Sequence, residues 1–204
     1  MPKIVDESER KNDIADAAVK VFAQSGFSET TVQQIADQAD MSKGNIYRYF
    51  DSKEEVLQQI FLNFEQAIHE TLDVNLSRED DPANVIQSLI TDLTTLVRSN
   101  RPTIKVLFDF WSYSLHNPDE NFIDHDSFYK KIQRKLRSFL DDGASKGVFH
   151  SDWNDELPSM LIGFFEGQLI QWLVNPSSPS LSTIRNTGTQ MLLTGLLDDG
   201  RQLT

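Results

Sequence analysis

The sequence predicts an all-α protein of about nine helices. Apolar residues recur at three- and four-residue spacing along the chain, while no segment alternates with period two and no internal repeat is present. Proline, glycine and Ser/Thr/Asp positions fall where helices should start and stop. At 204 residues the chain is long enough to bury a real core. It has no Cys, which excludes disulfides and thiolate chemistry and fits a reducing compartment. No apolar run reaches the roughly 18 residues of a membrane span, and the start has no apolar stretch of the signal-peptide kind, so a cytoplasmic protein is expected.

Ile14, Ala18, Val21 and Phe22 make one amphipathic helix that Gly26 can end in a left-handed cap. Thr30 or Thr31 then caps a short second helix with Val32, Ile35, Ala36 and Ala39 inward. Past the turn Asp40-Met41, Ser42 caps a third helix read through Lys43 to Phe50. Helices this short need one another to persist, so residues up to about 50 form one trihelical unit.

Ser52 and Glu55 form a capping box for a long fourth helix, whose stripe Leu57, Ile60, Phe61, Phe64, Ile68 and Leu72 runs to a polar loop expected at 75–81. Pro82 and Pro102 open the fifth and sixth helices, the sixth dense in aromatics. A seventh starts near Asp126 and has Gly147 as a suitable cap. The eighth, Leu157 to Val174, is almost wholly apolar, more so than a single chain of this size can readily cover. A last helix carries Leu181, Ile184, Met191, Leu192 and Leu196.

The formal charge is −12, from 19 Lys+Arg and 31 Asp+Glu, so nucleic acid could be held only by a local patch. Residues 1–50 carry 6 basic and 8 acidic residues and the remainder 13 and 23, which makes the N-terminal unit electrostatically distinct. Short helix, tight turn and capped short helix is the helix-turn-helix arrangement, whose second helix enters the major groove. Here that helix presents Lys43 for phosphate or guanine, Gly44 for close backbone approach and Asn45 for a base edge. Tyr47, Arg48 and Tyr49 suit phosphate oxygens, Thr31 and Ser42 can aim helix N-termini at phosphate, and Lys53 opens the next helix nearby. The competing reading is a small bundle whose tyrosines merely pack.

The run Gly26-Phe27 to Thr31-Val32-Gln33-Gln34-Ile35-Ala36, with Met41-Ser42-Lys43-Gly44-Asn45-Ile46-Tyr47-Arg48-Tyr49-Phe50 and Asp51-Ser52-Lys53-Glu54-Glu55-Val56-Leu57, resembles the DNA-binding domain of the TetR family of bacterial transcriptional regulators. The resemblance implies a helix-turn-helix domain over residues 1–52 and a helical ligand-sensing and dimerisation domain over 53–204. It implies a homodimer, usually a repressor, that leaves a pseudo-palindromic operator when a small-molecule inducer binds. Carried over by position, Thr31 would hold phosphate, Lys43, Gly44, Asn45 and Tyr47 would lie in the groove, and Arg48, Tyr49 and Lys53 would serve backbone or flanking contacts. Gln33 stands where many members carry a basic residue and Asn45 where a small hydroxyl or Ala is common; Gln33 or Gln34 could read an adenine, or lie as an exposed helix glutamine.

In the C-terminal part, Gly163 and Gly167 smooth one apolar helix and Gly188, Met191 and Gly195 the other, as a two-fold four-helix bundle between subunits would require. Phe108, Trp111, Tyr113, Phe128, Phe165 and Trp172 could line a ligand cavity or be plain core. Glu166 interrupts an apolar helix, where it would pair with a cationic ligand, bond across the interface or, as expected here, reach solvent. Four His without ordered spacing predict no metal site and no cofactor. No Gly-rich phosphate loop or Ser-His-Asp set predicts an enzyme, and the rival reading is a helical enzyme or carrier with a vestigial helix-turn-helix.

Overall fold

In a computed structural model, residues 7–117, 122–177 and 180–197 are described. The helices are α1 (Glu7–Ser25), α2 (Val32–Gln38), α3 (Lys43–Ile46), α4 (Lys53–Leu76), α5 (Pro82–Ser99), α6 (Arg101–His116), α7 (His125–Ser145) and α8 (Leu157–Val174). The last run comprises α9 (Leu181–Thr183), a π-helical turn (Ile184–Gly188) and α10 (Thr189–Leu196), so one expected helix is a continuous rod with a wide turn inside it. Among the described residues there is no strand, only an isolated bridge between Phe149 and Leu197. The all-α expectation holds.

Two compact units emerge, one of residues 1–67 and 100–123 and the other of 68–99 and 124–204. In the first, α2 packs on α1 and α3, and α6 packs on α1. Its core gathers the predicted stripe of α1 (Ile14, Ala18, Val21, Phe22) with Ile35, Ile46, Phe50, Val56, Leu57 and Phe110, all buried. Gly26 ends α1 with φ 79°, its N–H donating to Phe22 O at 2.8 Å. Only glycine takes that conformation without strain from a Cβ.

In the second unit, Ile86 and Ile90 of α5, Leu140 of α7, Val148 and Phe149 after it, and Leu193, Leu196 and Leu197 form one buried cluster. Gly147, with φ 66°, closes α7: its N–H donates to Ala144 O and the Val148 N–H to Gly143 O, both at 2.9 Å. Asn75 corrects the sequence reading, which placed it in a polar loop. It lies inside α4 and is fully buried, and its amide donates to Thr71 O at 3.0 Å and Asp92 Oδ2 at 2.9 Å. A polar side chain with partners inside the fold no longer signals a loop.

Candidate nucleic-acid interface

Thr31 caps α2 in a reciprocal box: its Oγ1 accepts the Gln34 N–H at 3.3 Å, and Gln34 Oε1 accepts the Thr31 N–H at 2.8 Å. Two residues along, Gln33 Nε2 donates to Asp37 Oδ1 at 2.7 Å, so this exposed amide is engaged by its own helix. The turn into α3 is closed by the Asp40 N–H to Asp37 O at 3.3 Å and the Met41 N–H to Ala36 O at 2.9 Å. Asp40 stands at φ 53° where such caps usually have glycine.

Ser42 caps α3, its Oγ accepting the Asn45 N–H at 3.2 Å. Regular α-helix covers Lys43–Ile46 alone, shorter than the span to Phe50 read from sequence. Tight turns carry the chain on, with the Tyr49 N–H to Ile46 O at 2.9 Å and the Phe50 N–H to Ile46 O at 3.1 Å. Ile46 and Phe50 anchor this segment in the core, which leaves Ser42, Lys43, Gly44, Tyr47 and Arg48 exposed and Asn45 and Tyr49 half-buried. The Lys43 ammonium lies 5.8 Å from the Tyr47 ring, and a Cβ at Gly44 would meet open space. Neither Lys43 nor Arg48 has an ion-pair partner among the described residues. Two such cations, a side-chain amide and a bare backbone along one short segment are groups that can neutralise phosphate and address a groove.

Lys53 departs from its expected place. Its Nζ donates to the carbonyl oxygens of Phe27 and Ser28 at 2.9 Å and of Thr30 at 3.0 Å, 4.7 Å over the Phe27 ring. An ammonium has three hydrogens, and all three are engaged here, so the phosphate contact read for Lys53 does not fit this geometry. From α6, Asp109 Oδ2 accepts the Phe27 N–H at 3.2 Å and Lys105 Nζ donates to Ala23 O at 3.0 Å. The Phe27 ring packs on Phe22, Phe110, Tyr113 and Phe122. Sequence reasoning missed Asp109, although an acid between Phe108 and Phe110 was a signal.

The candidate ligand residues fall into both units. In the first, Phe108 meets Trp111 edge-on at 5.2 Å, both half-buried, while Tyr113 stacks on Phe110 at 6.0 Å as part of the aromatic core. In the second, Phe128 and Trp172 are buried and Phe165 packs against the apolar cluster. Glu166 does not simply reach solvent: half-buried on α8, its Oε1 accepts the Tyr129 hydroxyl of α7 at 2.9 Å. Burial raises the Glu166 carboxyl above its ordinary range, the tyrosine hydrogen bond partly opposing this; burial and the nearby acid raise Tyr129 as well. A groove of about 410 Å³ on the polar side of α7, lined by Lys130, Arg134, Arg137 and Asp155 among others, includes none of the seven candidates.

Along α8, Met160, Ile170 and Val174 are 69%, 42% and 82% exposed, and a Cβ at Gly163 or Gly167 would meet nothing. These five positions are spaced three and four residues apart in turn, the repeat of a helix-packing seam. On α10, Met191 is 60% exposed and Gly195 faces open space.

A helix-turn-helix with an exposed, cation-bearing second helix defines a DNA-binding protein. Residues 14–60 match the model of bacterial regulatory proteins of the tetR family, and residues 82–196 match the C-terminal domain of BetI-type transcriptional repressors. The chain belongs to the TetR family and is a transcriptional regulator, not an enzyme. It is 23% identical over 190 residues to the HTH-type transcriptional repressor KstR2 of Rhodococcus jostii, covering 93% of this chain and 92% of the relative. Two solved structures share the fold. The fatty acid degradation regulator FadR of Bacillus halodurans has a TM-score of 0.73 at 23% identity over 90% of this chain and 94% of its own. FadR of Bacillus subtilis in complex with stearoyl-CoA has 0.71 at 20% identity over 90% and 98%. Among the described residues no helix is long and apolar enough to cross a membrane, and no group of His, Asp and Glu could hold a metal.

Proposed function

We propose that this chain is a homodimeric repressor that acts in the cytoplasm on a pseudo-palindromic operator and is released by a small apolar ligand. The observation that carries this reading is the α3 edge, where Lys43, Gly44, Tyr47 and Arg48 are exposed with Asn45 half-buried among them. Ser42, Thr31 and Tyr49 contact the phosphates beside it, and Gln33 reads a base once its bond to Asp37 opens. The functional boundary falls near residue 52, so residues 53–204 serve sensing and dimerisation. One short reading helix makes too few contacts to hold a site alone, and two-fold pairing supplies the second half-site. The uncovered seams of α8 and α10 support pairing through a four-helix bundle. Phe108, Trp111 and Tyr113 of the first unit are candidates for apolar ligand contacts; within the second unit Phe128, Phe165 and Trp172 are likewise candidates, with Glu166 and Tyr129 the polar group that orients a ligand. The FadR complex with stearoyl-CoA makes an acyl chain the first class to try.

The test is to incubate the purified protein with sheared genomic DNA of its source near physiological salt, and to sequence what is retained. A few fragments sharing an inverted repeat support the reading; uniform or absent recovery at low salt defeats it. Loss of the retained fragments on adding stearoyl-CoA supports an acyl ligand.

A further inference from the structure

Lys53 lies where a phosphate contact would be expected, yet its charge is turned inward. The corner it holds, residues 26–31, joins α1 to α2 and ends at Thr31, the N-cap of α2. Three carbonyls converge on the ammonium, Thr30 Oγ1 donates to Gly26 O at 2.7 Å, and Asp109 takes the Phe27 N–H on the other side. Thr30 is 2% exposed and Phe27 4%, so the corner is packed as well as bonded. A seven-residue helix has little persistence of its own, and its position follows from where its ends are tied.

We propose that Lys53 is a positioning residue for operator binding: it fixes the start of α2, and through α2 the attitude of α3, without touching DNA. The proposal rests on the DNA-binding reading above. Its consequence separates two roles that share one cation. A lysine on a phosphate contributes affinity that decays with salt, a slope of about 0.9 in log K against log salt for each phosphate. A lysine that orders the reading helix contributes the same factor at every salt concentration.

The experiment measures affinity for a recovered operator fragment by fluorescence anisotropy from about 50 to 200 mM KCl, the range over which phosphate contacts are resolved. It compares wild type, Lys53→Met and Lys43→Met at a temperature where each is folded. Lys53→Met should weaken binding about tenfold throughout with the wild-type slope, while Lys43→Met should lower the slope by about one per half-site. If the Met variant fails to fold, Lys53→Gln, which keeps two donors, should show a smaller loss and again an unchanged slope. In the free protein, Lys53→Met should speed amide exchange at Phe27 and Thr30 selectively, leaving exchange in α7 unchanged. A slope reduced by about one in the Lys53 variants makes Lys53 a phosphate ligand and overturns the proposal, as does undiminished affinity. Should wild type retain no DNA, the DNA-binding reading fails and the positioning role with it; faster exchange at Phe27 and Thr30 then marks Lys53 as a structural clamp alone.

Discussion

Gly143 lies inside α7 with the Phe149 ring laid on its bare backbone: a Cβ there would sit 2.3 Å from Cδ2 and 2.5 Å from Cε2. Ordinary carbon contacts begin near 3.5 Å, so Gly143→Ala requires the ring to retreat by about 1 Å or more. The ring has little room. Phe149 is 2% exposed, packs edge-on against Phe139 at 5.8 Å, and is held in place by the His150 N–H to Leu196 O at 2.9 Å and the Val148 N–H to Gly143 O at 2.9 Å. Overpacking a pinned site costs about 3 kcal/mol, the upper part of the usual range, and the alanine returns about 1 kcal/mol of helix propensity. The net loss is about 2 kcal/mol, or about 4–8 °C in Tm for a chain of this size. Urea unfolding followed by far-UV circular dichroism, at fixed protein concentration, measures it. Shrinking the ring should relieve the clash, so Gly143→Ala on a Phe149→Leu background should cost less than about 0.5 kcal/mol. A Gly143→Ala protein about 1 kcal/mol more stable than wild type would refute the reasoning, since helix propensity alone would then decide.

Glu166 gives a pH prediction. Its raised folded pKa means the folded state holds a proton that the unfolded state releases, so this group's contribution declines as pH rises from its ordinary value near 4.5 through the folded value. Glu166→Gln, which keeps an acceptor for Tyr129, should therefore be more stable than wild type at pH 7 and equal to it below pH 4.5, as read by Tm across pH. Asp40→Gly should stabilise by about 0.5 kcal/mol, relief of the left-handed backbone outweighing chain entropy, whereas Asp40→Val should cost about 1 kcal/mol or more, both by urea titration. Because nothing lies over Gly167, Gly167→Arg should leave the subunit folded by circular dichroism and yet give a monomer by light scattering, with operator affinity down more than about a hundredfold. A folded dimer would refute the seam on α8.

What was legible from sequence follows how local each cause is. The caps at Thr31 and Ser42, and the ends at Gly26 and Gly147, act within a few residues, and the structure places them as read. Excess apolarity in Leu157 to Val174 foretold the uncovered face of α8. The inward turn of Lys53 and the burial of Asn75 were not legible because Phe27, Ser28 and Thr30 lie 23 to 26 residues from the one and Asp92 lies 17 from the other, where spacing carries no information and a polar side chain defaults to solvent. The bond of Tyr129 to Glu166 spans 37 residues and two helices, and nothing in either neighbourhood announces it. The wide turn at Ile184–Gly188 is invisible to a test of helical period, since the apolar stripe continues through it.

The proposed reading edge is built from little helix: seven residues in α2 and four in α3, against 24 in α4. Hydrogen bonds within such short helices cannot sustain them, so their order is borrowed from the corner, the caps and the buried side chains Ile35, Ala36, Ile46 and Phe50. Regions so built open at lower free energy than the body they rest on. Warming should therefore blunt the hand before it melts the arm: operator occupancy falls across a range of temperature in which the remaining helices are intact.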